Sequence, residues 1–121
     1  MISRREVLQG RDAEFPLTAE LEANLTRLLE ALNKLRALYG KPMHVTSGYR
    51  PGRYNTNAKG SPKSCHLTCQ AVDFNDLGHE IYDFCTDVVL EQCGLWKEHK
   101  DATPTWCHLQ TRPTKARTFR P

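Results

Sequence analysis

Leucines recur along residues 21–38 at intervals of three and four residues, which is the strongest hydrophobic periodicity in the chain. The apolar positions of this stretch are Leu21, Leu25, Leu28, Leu29, Leu32, Leu35 and Leu38. Their spacing predicts one amphipathic helix of about five to six turns, because residues three and four apart share a helix face. Thr18 is a suitable N-cap, and Gly40 followed by Pro42 ends the helix.

Three short segments have the composition of β-strands. They are Met43–Tyr49, Cys69–Phe74 and Thr105–Gln110, each short, rich in apolar or β-branched residues and bounded by turn-forming residues. Residues 51–64, between the first two segments, are rich in Pro, Gly, Asn, Ser and Lys and predict a long irregular loop. A loop of this length inside a small domain is usually functional or disordered.

A second helix is predicted over His79–Cys93, closed by Gly94. One face of it carries Ile81, Phe84, Cys85, Val88 and Val89. The resulting order, helix–strand–loop–strand–helix–strand, predicts an α+β fold with a small central, mostly antiparallel sheet and flanking helices. A chain of 121 residues suffices for one domain, so we expect a single domain over residues 1–121. Residues 1–16 are expected to form a polar lead-in and residues 112–121 a basic C-terminal tail.

Positive charge is concentrated in two stretches of a chain whose net charge is +3. The tail 112–121 holds four basic residues and no acid, and residues 41–72 hold five basic residues and no carboxylate. These stretches are either solvated loops or a positive rim around a site for an anionic substrate. A nucleic-acid interface is less expected, because no basic stripe interleaved with aromatic residues and no known binding module is present.

No apolar run approaches the roughly 20 residues that a membrane span needs. The opening residues MISRRE are not followed by an apolar segment of the kind found in secretory signal peptides. We therefore expect no membrane partner, a cytoplasmic location in the producing cell, and a monomer. The five cysteines are an odd number and are expected to be reduced thiols, with Cys85 and Cys93 as small core residues.

His66, Asp73 and His108 are candidate metal ligands. Two imidazoles and one carboxylate would hold a tetrahedral zinc ion and leave one position open for water. Arg50 is suited to clamp a carboxylate through two parallel hydrogen bonds. Spacing alone leaves another interpretation open, in which Asp73 caps a turn, His66 lies on the surface and His108 is a half-buried strand residue.

Three sequence motifs occur in a specific order. SGYRP at 47–51, SCHLTCQAVDF at 64–74 and WCHLQ at 106–110 resemble the motifs S-x-Y-R, S-x-H-x-x-G-x-A-x-D and W-x-H. These motifs belong to the zinc D-Ala-D-Ala carboxypeptidase and L-alanyl-D-glutamate endopeptidase family of cell-wall peptidases. The resemblance extends over about residues 8–121 and is to small members encoded by bacteriophages and related bacterial ones.

This resemblance implies a compact α+β domain of the hedgehog and DD-peptidase type, with one zinc ion per chain on the sheet. It implies that His66, Asp73 and His108 bind the zinc and that Arg50 binds a substrate carboxylate. Ser47, Tyr49 and Ser64 would shape the pocket. The implied activity is hydrolysis of peptidoglycan stem peptides, of the D-Ala-D-Ala or the L-Ala-D-Glu type, after release from the cell or as part of a phage particle.

Two positions depart from the family pattern. Cys69 stands where glycine is usual, and its thiolate would be a competing ligand. Thr105 stands three residues before His108, where many members have the acidic general base. We favour Glu98 as the base, with Asp101 as the other candidate. The alternative function, supported by Thr105, is a catalytically inactive, metal-stabilised domain that binds the cell wall or serves in a phage particle.

Overall fold

The structure is a computed structural model that describes residues 1–121. Its helices are α1 (Arg4–Leu8), α2 (Ala19–Tyr39), α3 (Arg53–Asn57), α4 (Glu80–Phe84) and α5 (Asp87–Cys93). Its strands are β1 (Val45–Ser47), β2 (Ala71–Asn75), β3 (Trp96–Glu98), β4 (Trp106–Gln110) and β5 (Thr118–Phe119). A 3-10 turn, Cys65–Thr68, leads into β2. The predicted α+β class is confirmed. None of the helices is both long and apolar enough to pass through a bilayer.

The strands form one sheet in the order β1-β2-β4-β3-β5. All neighbouring pairs are antiparallel except β3 and β5, which are parallel. Alternate residues of a strand point to opposite faces, and in β2 and β4 this alternation separates two environments. Val72, Phe74, Cys107 and Leu109 are fully buried in the hydrophobic core, so the residues between them face the other side.

Helix α2 confirms the helix that the leucine periodicity predicted. The Thr18 hydroxyl accepts a hydrogen bond from the Leu21 N–H at 3.2 Å, and Gly40 closes the helix in the left-handed conformation. Four leucines are at most 1% exposed and join the core: Leu25, Leu28, Leu32 and Leu35. Burying a leucine side chain contributes about 1.5–3 kcal/mol, so this face of α2 is a major source of stability.

The prediction of one continuous helix over His79–Cys93 was wrong. The structure has two helices, because the backbone leaves the helical conformation at Cys85 (ψ 65°) and Thr86 caps α5 by accepting from the Val89 N–H. The loop 51–64 is also less irregular than predicted, since it contains α3.

Both ends of the chain contain structure that the sequence prediction lacked. The expected polar lead-in, residues 1–16, includes α1. A reciprocal capping box between Ser3 and Glu6 caps the N-terminus of this helix, which buries Val7 and Leu8. The expected tail, residues 112–121, includes β5. Elements of five and two residues are too short to produce a detectable hydrophobic period.

Candidate metal centre and substrate cleft

The sheet and the 3-10 turn bring His66, Asp73 and His108 together. Asp73 of β2 is the direct cross-strand partner of His108 of β4, on the face opposite the core. The Oδ1 atom of Asp73 lies 2.9 Å from Nδ1 of His108 and 3.4 Å from Nε2 of His66. One potential ligand atom from each residue lies within 4.8 Å of the other two. The three residues therefore form a cluster that one metal ion can bridge.

The His66 ring is oriented by the backbone. Its Nδ1 lies 2.8 Å from the carbonyl oxygen of Gly48, which only accepts hydrogen bonds, so Nδ1 carries the proton. Nε2, the other ring nitrogen, faces Asp73 and is the one available to a metal ion. A Cβ at Gly48 would lie 2.2 Å from the carbonyl oxygen of Val7. Only glycine fits there without a backbone shift, which ties the His66 ring to the packing of α1.

The His108 ring is oriented by a side chain. Its Nε2 lies 2.8 Å from Oε1 of Gln110, whose amide nitrogen donates to the Arg112 carbonyl at 2.8 Å. Both ring nitrogens of His108 thus face acceptors, Gln110 on one side and Asp73 on the other. Burial lowers the pKa of His108, but the hydrogen bond and the charge of Asp73 outweigh it and raise that pKa above its ordinary value. Zinc would take the place of the Nδ1 proton.

Asp73 is held in its ionised form. Burial raises the pKa of this carboxyl, but hydrogen bonds and charge attraction from His108 and His66 prevail and hold it well below its ordinary value. Two imidazole nitrogens and an ionised carboxylate are the kinds of donor that a catalytic zinc site uses. The residues present therefore fit the metal.

The structure places Glu98 beside this cluster and leaves Asp101 and Thr105 outside the cleft. Continuing the β3–β4 register puts Glu98 opposite His108, and its Oε2 lies 3.9 Å from the His108 Nδ1. Asp101 is exposed and pairs with Arg120 at 3.1 Å. Thr105 is exposed, and neither it nor Asp101 lines the cleft.

A cleft of ≈ 570 Å³ opens over the cluster, and Arg50 and Ser64 line it with Glu98. The Nε atom of Arg50 is buried without a hydrogen-bond partner, and one of its terminal nitrogens lies 3.5 Å from the Ser64 hydroxyl. Burial lowers the pKa of Arg50. Arg50 forms no ion pair within the chain, so its guanidinium is free to bind a carboxylate in the cleft. Three further cations line the same cleft: Lys59, Lys63 and Arg112.

Ser47 and Tyr49 do not line the cleft. Tyr49 is only 3% exposed, and its hydroxyl donates to the carbonyl of Phe15 at 3.2 Å. Ser47 pairs with Asp73 across β1 and β2. Both residues flank Gly48, whose carbonyl contacts His66, and neither lies at the surface of the cleft.

Cys69 lies in the core and is not part of the His66–Asp73–His108 cluster. It is fully buried, and burial raises the pKa of its thiol to about 12, so it is not a thiolate. Its φ of 57° is left-handed, the conformation for which glycine is the usual residue.

We expect Cys69→Gly to leave the zinc content at wild-type level. Relief of the left-handed conformation stabilises the variant by about 1 kcal/mol, and loss of the buried side chain costs a similar amount. Elemental mass spectrometry and the midpoint of thermal unfolding measure both effects. A fall in zinc content would instead make Cys69 a ligand.

Sequence reasoning missed Gly48 and Gln110. Gln110 follows His108 by two residues on a strand, so the period-two rule places both side chains on one face. Gly48 acts through its carbonyl group, which a side-chain motif does not reveal. Trp106 and Phe119 also line the cleft.

The family model for Peptidase M15 matches residues 3–108. No curated protein matches the chain. The matched range covers most of the chain and contains the three residues of the cluster. With a cluster that fits zinc in a cleft on the sheet, the chain belongs to the M15 family of zinc-dependent metallopeptidases.

Proposed function

We propose that the protein is a zinc peptidase that hydrolyses peptidoglycan stem peptides, at the D-Ala–D-Ala bond or the L-Ala–D-Glu bond. One observation carries the proposal. The His66–Asp73–His108 cluster shares a cleft with a carboxylate, Glu98, and with Arg50, whose guanidinium forms no ion pair within the chain. A metal site, a base and a carboxylate clamp are the groups that hydrolysis beside a free carboxylate requires.

Each residue has a distinct role in this proposal. His66, Asp73 and His108 hold the zinc, which when bound acidifies water and polarises a carbonyl group. Arg50 binds a carboxylate of the peptide, that of a terminal D-Ala or that of D-Glu, and fixes the position of the scissile bond. Glu98 accepts a proton from the attacking water and passes it to the leaving amine.

The other cations that line the cleft suit an anionic substrate. Lys59 and Lys63 are exposed and form no ion pair within the chain. Positive charge at the rim of a cleft raises the local concentration of an anionic ligand. The resemblance to small phage-encoded members extends the proposal to lysis of a bacterial host.

A catalytically inactive wall-binding or particle domain is the second candidate. Its support was Thr105, which cannot act as a base. The position of Glu98 in the cleft removes the need for an acid at position 105 and favours the enzyme.

The proposal is tested with a synthetic stem pentapeptide and the zinc-loaded protein, with products identified by mass spectrometry. Release of D-Ala identifies the carboxypeptidase, and release of L-Ala identifies the endopeptidase. We expect Arg50→Ala to lower kcat/KM by about 10–150-fold, because a charge-assisted hydrogen bond contributes about 1.5–3 kcal/mol. Lys115→Ala is the control, since Lys115 is exposed and forms no ion pair. No cleavage at full zinc occupancy would favour the inactive domain.

A further inference from the structure

The segment Arg117–Arg120, here called the strap, lies beyond the family match, which ends at residue 108. It contains β5 and lies against β3, the strand that carries Glu98. We propose that the strap positions the Glu98 carboxylate for proton transfer, so that Arg117, which anchors the strap to β3, is a positioning residue of the enzyme. This inference rests on the role of Glu98 proposed above.

The Glu98 side chain is not fixed by its own contacts. Its carboxylate takes part in none of the hydrogen bonds of the structure, and its ion-pair partner is His108 Nδ1 at 3.9 Å. A base must be held close to its working geometry for efficient proton transfer. The position of this carboxylate therefore depends on the backbone of β3.

The β3–β4 and β3–β5 ladders differ in extent. The β3–β4 ladder consists of Trp96 with Gln110 and Lys97 with Leu109, and it stops one residue before Glu98. Glu98 is instead the ladder partner of Phe119 in β5.

Hydrogen bonds from β3 to the strap lie on both sides of Glu98. The Lys97 N–H donates to the Arg117 carbonyl at 2.8 Å, and the His99 N–H donates to the Phe119 carbonyl at 2.7 Å. The strap thus holds the backbone of β3 on both sides of Glu98.

The strap has anchors at its two ends. The Arg117 guanidinium donates to the Leu95 carbonyl at 3.0 Å and lies 4.0 Å above the Trp96 ring. Arg120 donates to the Asp101 carboxylate at 3.1 Å. Arg117 therefore attaches the strap to the strand that it positions. The Arg120–Asp101 pair joins it to the following turn and, being exposed, contributes little.

Phe119 links the strap to the metal cluster. Its ring meets the His108 ring edge-on, with centroids 6.2 Å apart, and it lines the cleft beside Glu98. The strap therefore contacts a metal ligand through its side chain and the base through its backbone.

We expect Arg117→Ala to lower kcat about tenfold or more while KM stays within about twofold and the zinc content is unchanged. Hydrogen exchange of the His99 amide should become faster, which reports release of the strap independently of activity. Lys115→Ala, two residues before the strap, is the matched control and should match wild type in both measurements.

A double-mutant cycle separates positioning from general stabilisation. If Arg117 acts through Glu98, Arg117→Ala should change kcat by less than about twofold when Glu98→Gln is already present. Equal losses in both backgrounds, or wild-type kcat with accelerated exchange at His99, would overturn the inference. If Arg117→Ala does not fold, Phe119→Ala is judged by the same cycle. Wild-type activity of Glu98→Gln alone would instead refute the proposed role of Glu98.

Discussion

Glu98→Gln is expected to lower kcat by about 10²–10⁴-fold, the range that a positioned general base contributes. Two acidic side chains line the cleft, Glu98 and Asp73. Asp73 is engaged by both histidines of the cluster, His66 and His108. Glutamine keeps the size of the side chain and removes its ability to accept the proton. Steady-state hydrolysis of the stem peptide, with zinc content measured on the same sample, gives the result.

The matched control is Asp101→Asn. Asp101 is the other carboxylate that the sequence offered as a base, but it is exposed and bonded to Arg120. We expect that variant to keep wild-type kcat within about threefold, since an exposed ion pair contributes little. A large loss in Asp101→Asn and none in Glu98→Gln would reverse the assignment of the base.

The choice between Glu98 and Asp101 shows what the sequence lacks. The two acids are three residues apart, and the sequence favoured Glu98 through the family resemblance alone. The structure separates them because β3 ends at Glu98 and its register with β4 points that side chain at His108. Register is a pairing between distant segments, so it is set by tertiary packing and not by local propensity.

Elements that depend on local signals were predictable. Helix α2 has a long apolar period and a cap at each end, and it begins and ends as predicted. Strand β5 has two residues and exists through its pairing with β3 and through the contact of Arg117 with Trp96. No period can be detected in two residues, so the tail was interpreted only by its charge.

The S-x-Y-R motif combines side chains with different destinations. Arg50 lines the cleft, whereas Tyr49 is buried and bonded to Phe15. Neighbouring residues of an extended segment point in opposite directions. A motif therefore identifies a site without showing which of its side chains the substrate meets.

His66→Ala is expected to abolish zinc binding and the stabilisation that zinc provides. Zinc at 100 times its Kd stabilises the folded wild type by about 2.7 kcal/mol, which is roughly 10 °C in the unfolding midpoint of a domain of this size. The variant loses one of three ligands, so its midpoint should not respond to the same zinc concentration. Thermal unfolding with and without zinc measures the difference, and Asp73→Ala and His108→Ala should behave alike. A full zinc response in any one variant would exclude that residue as a ligand.

His44→Ala is the control, because His44 is exposed and lies outside the cluster.

The pH dependence of the zinc response gives a second measurement for the wild type. Asp73 raises the pKa of His108 in the metal-free chain, so below that pKa a proton occupies the Nδ1 atom that zinc requires. Zinc must then displace this proton, and its affinity should fall about tenfold for each further unit of pH. An affinity that does not change as the pH falls below the His108 pKa would show that zinc does not bind through Nδ1.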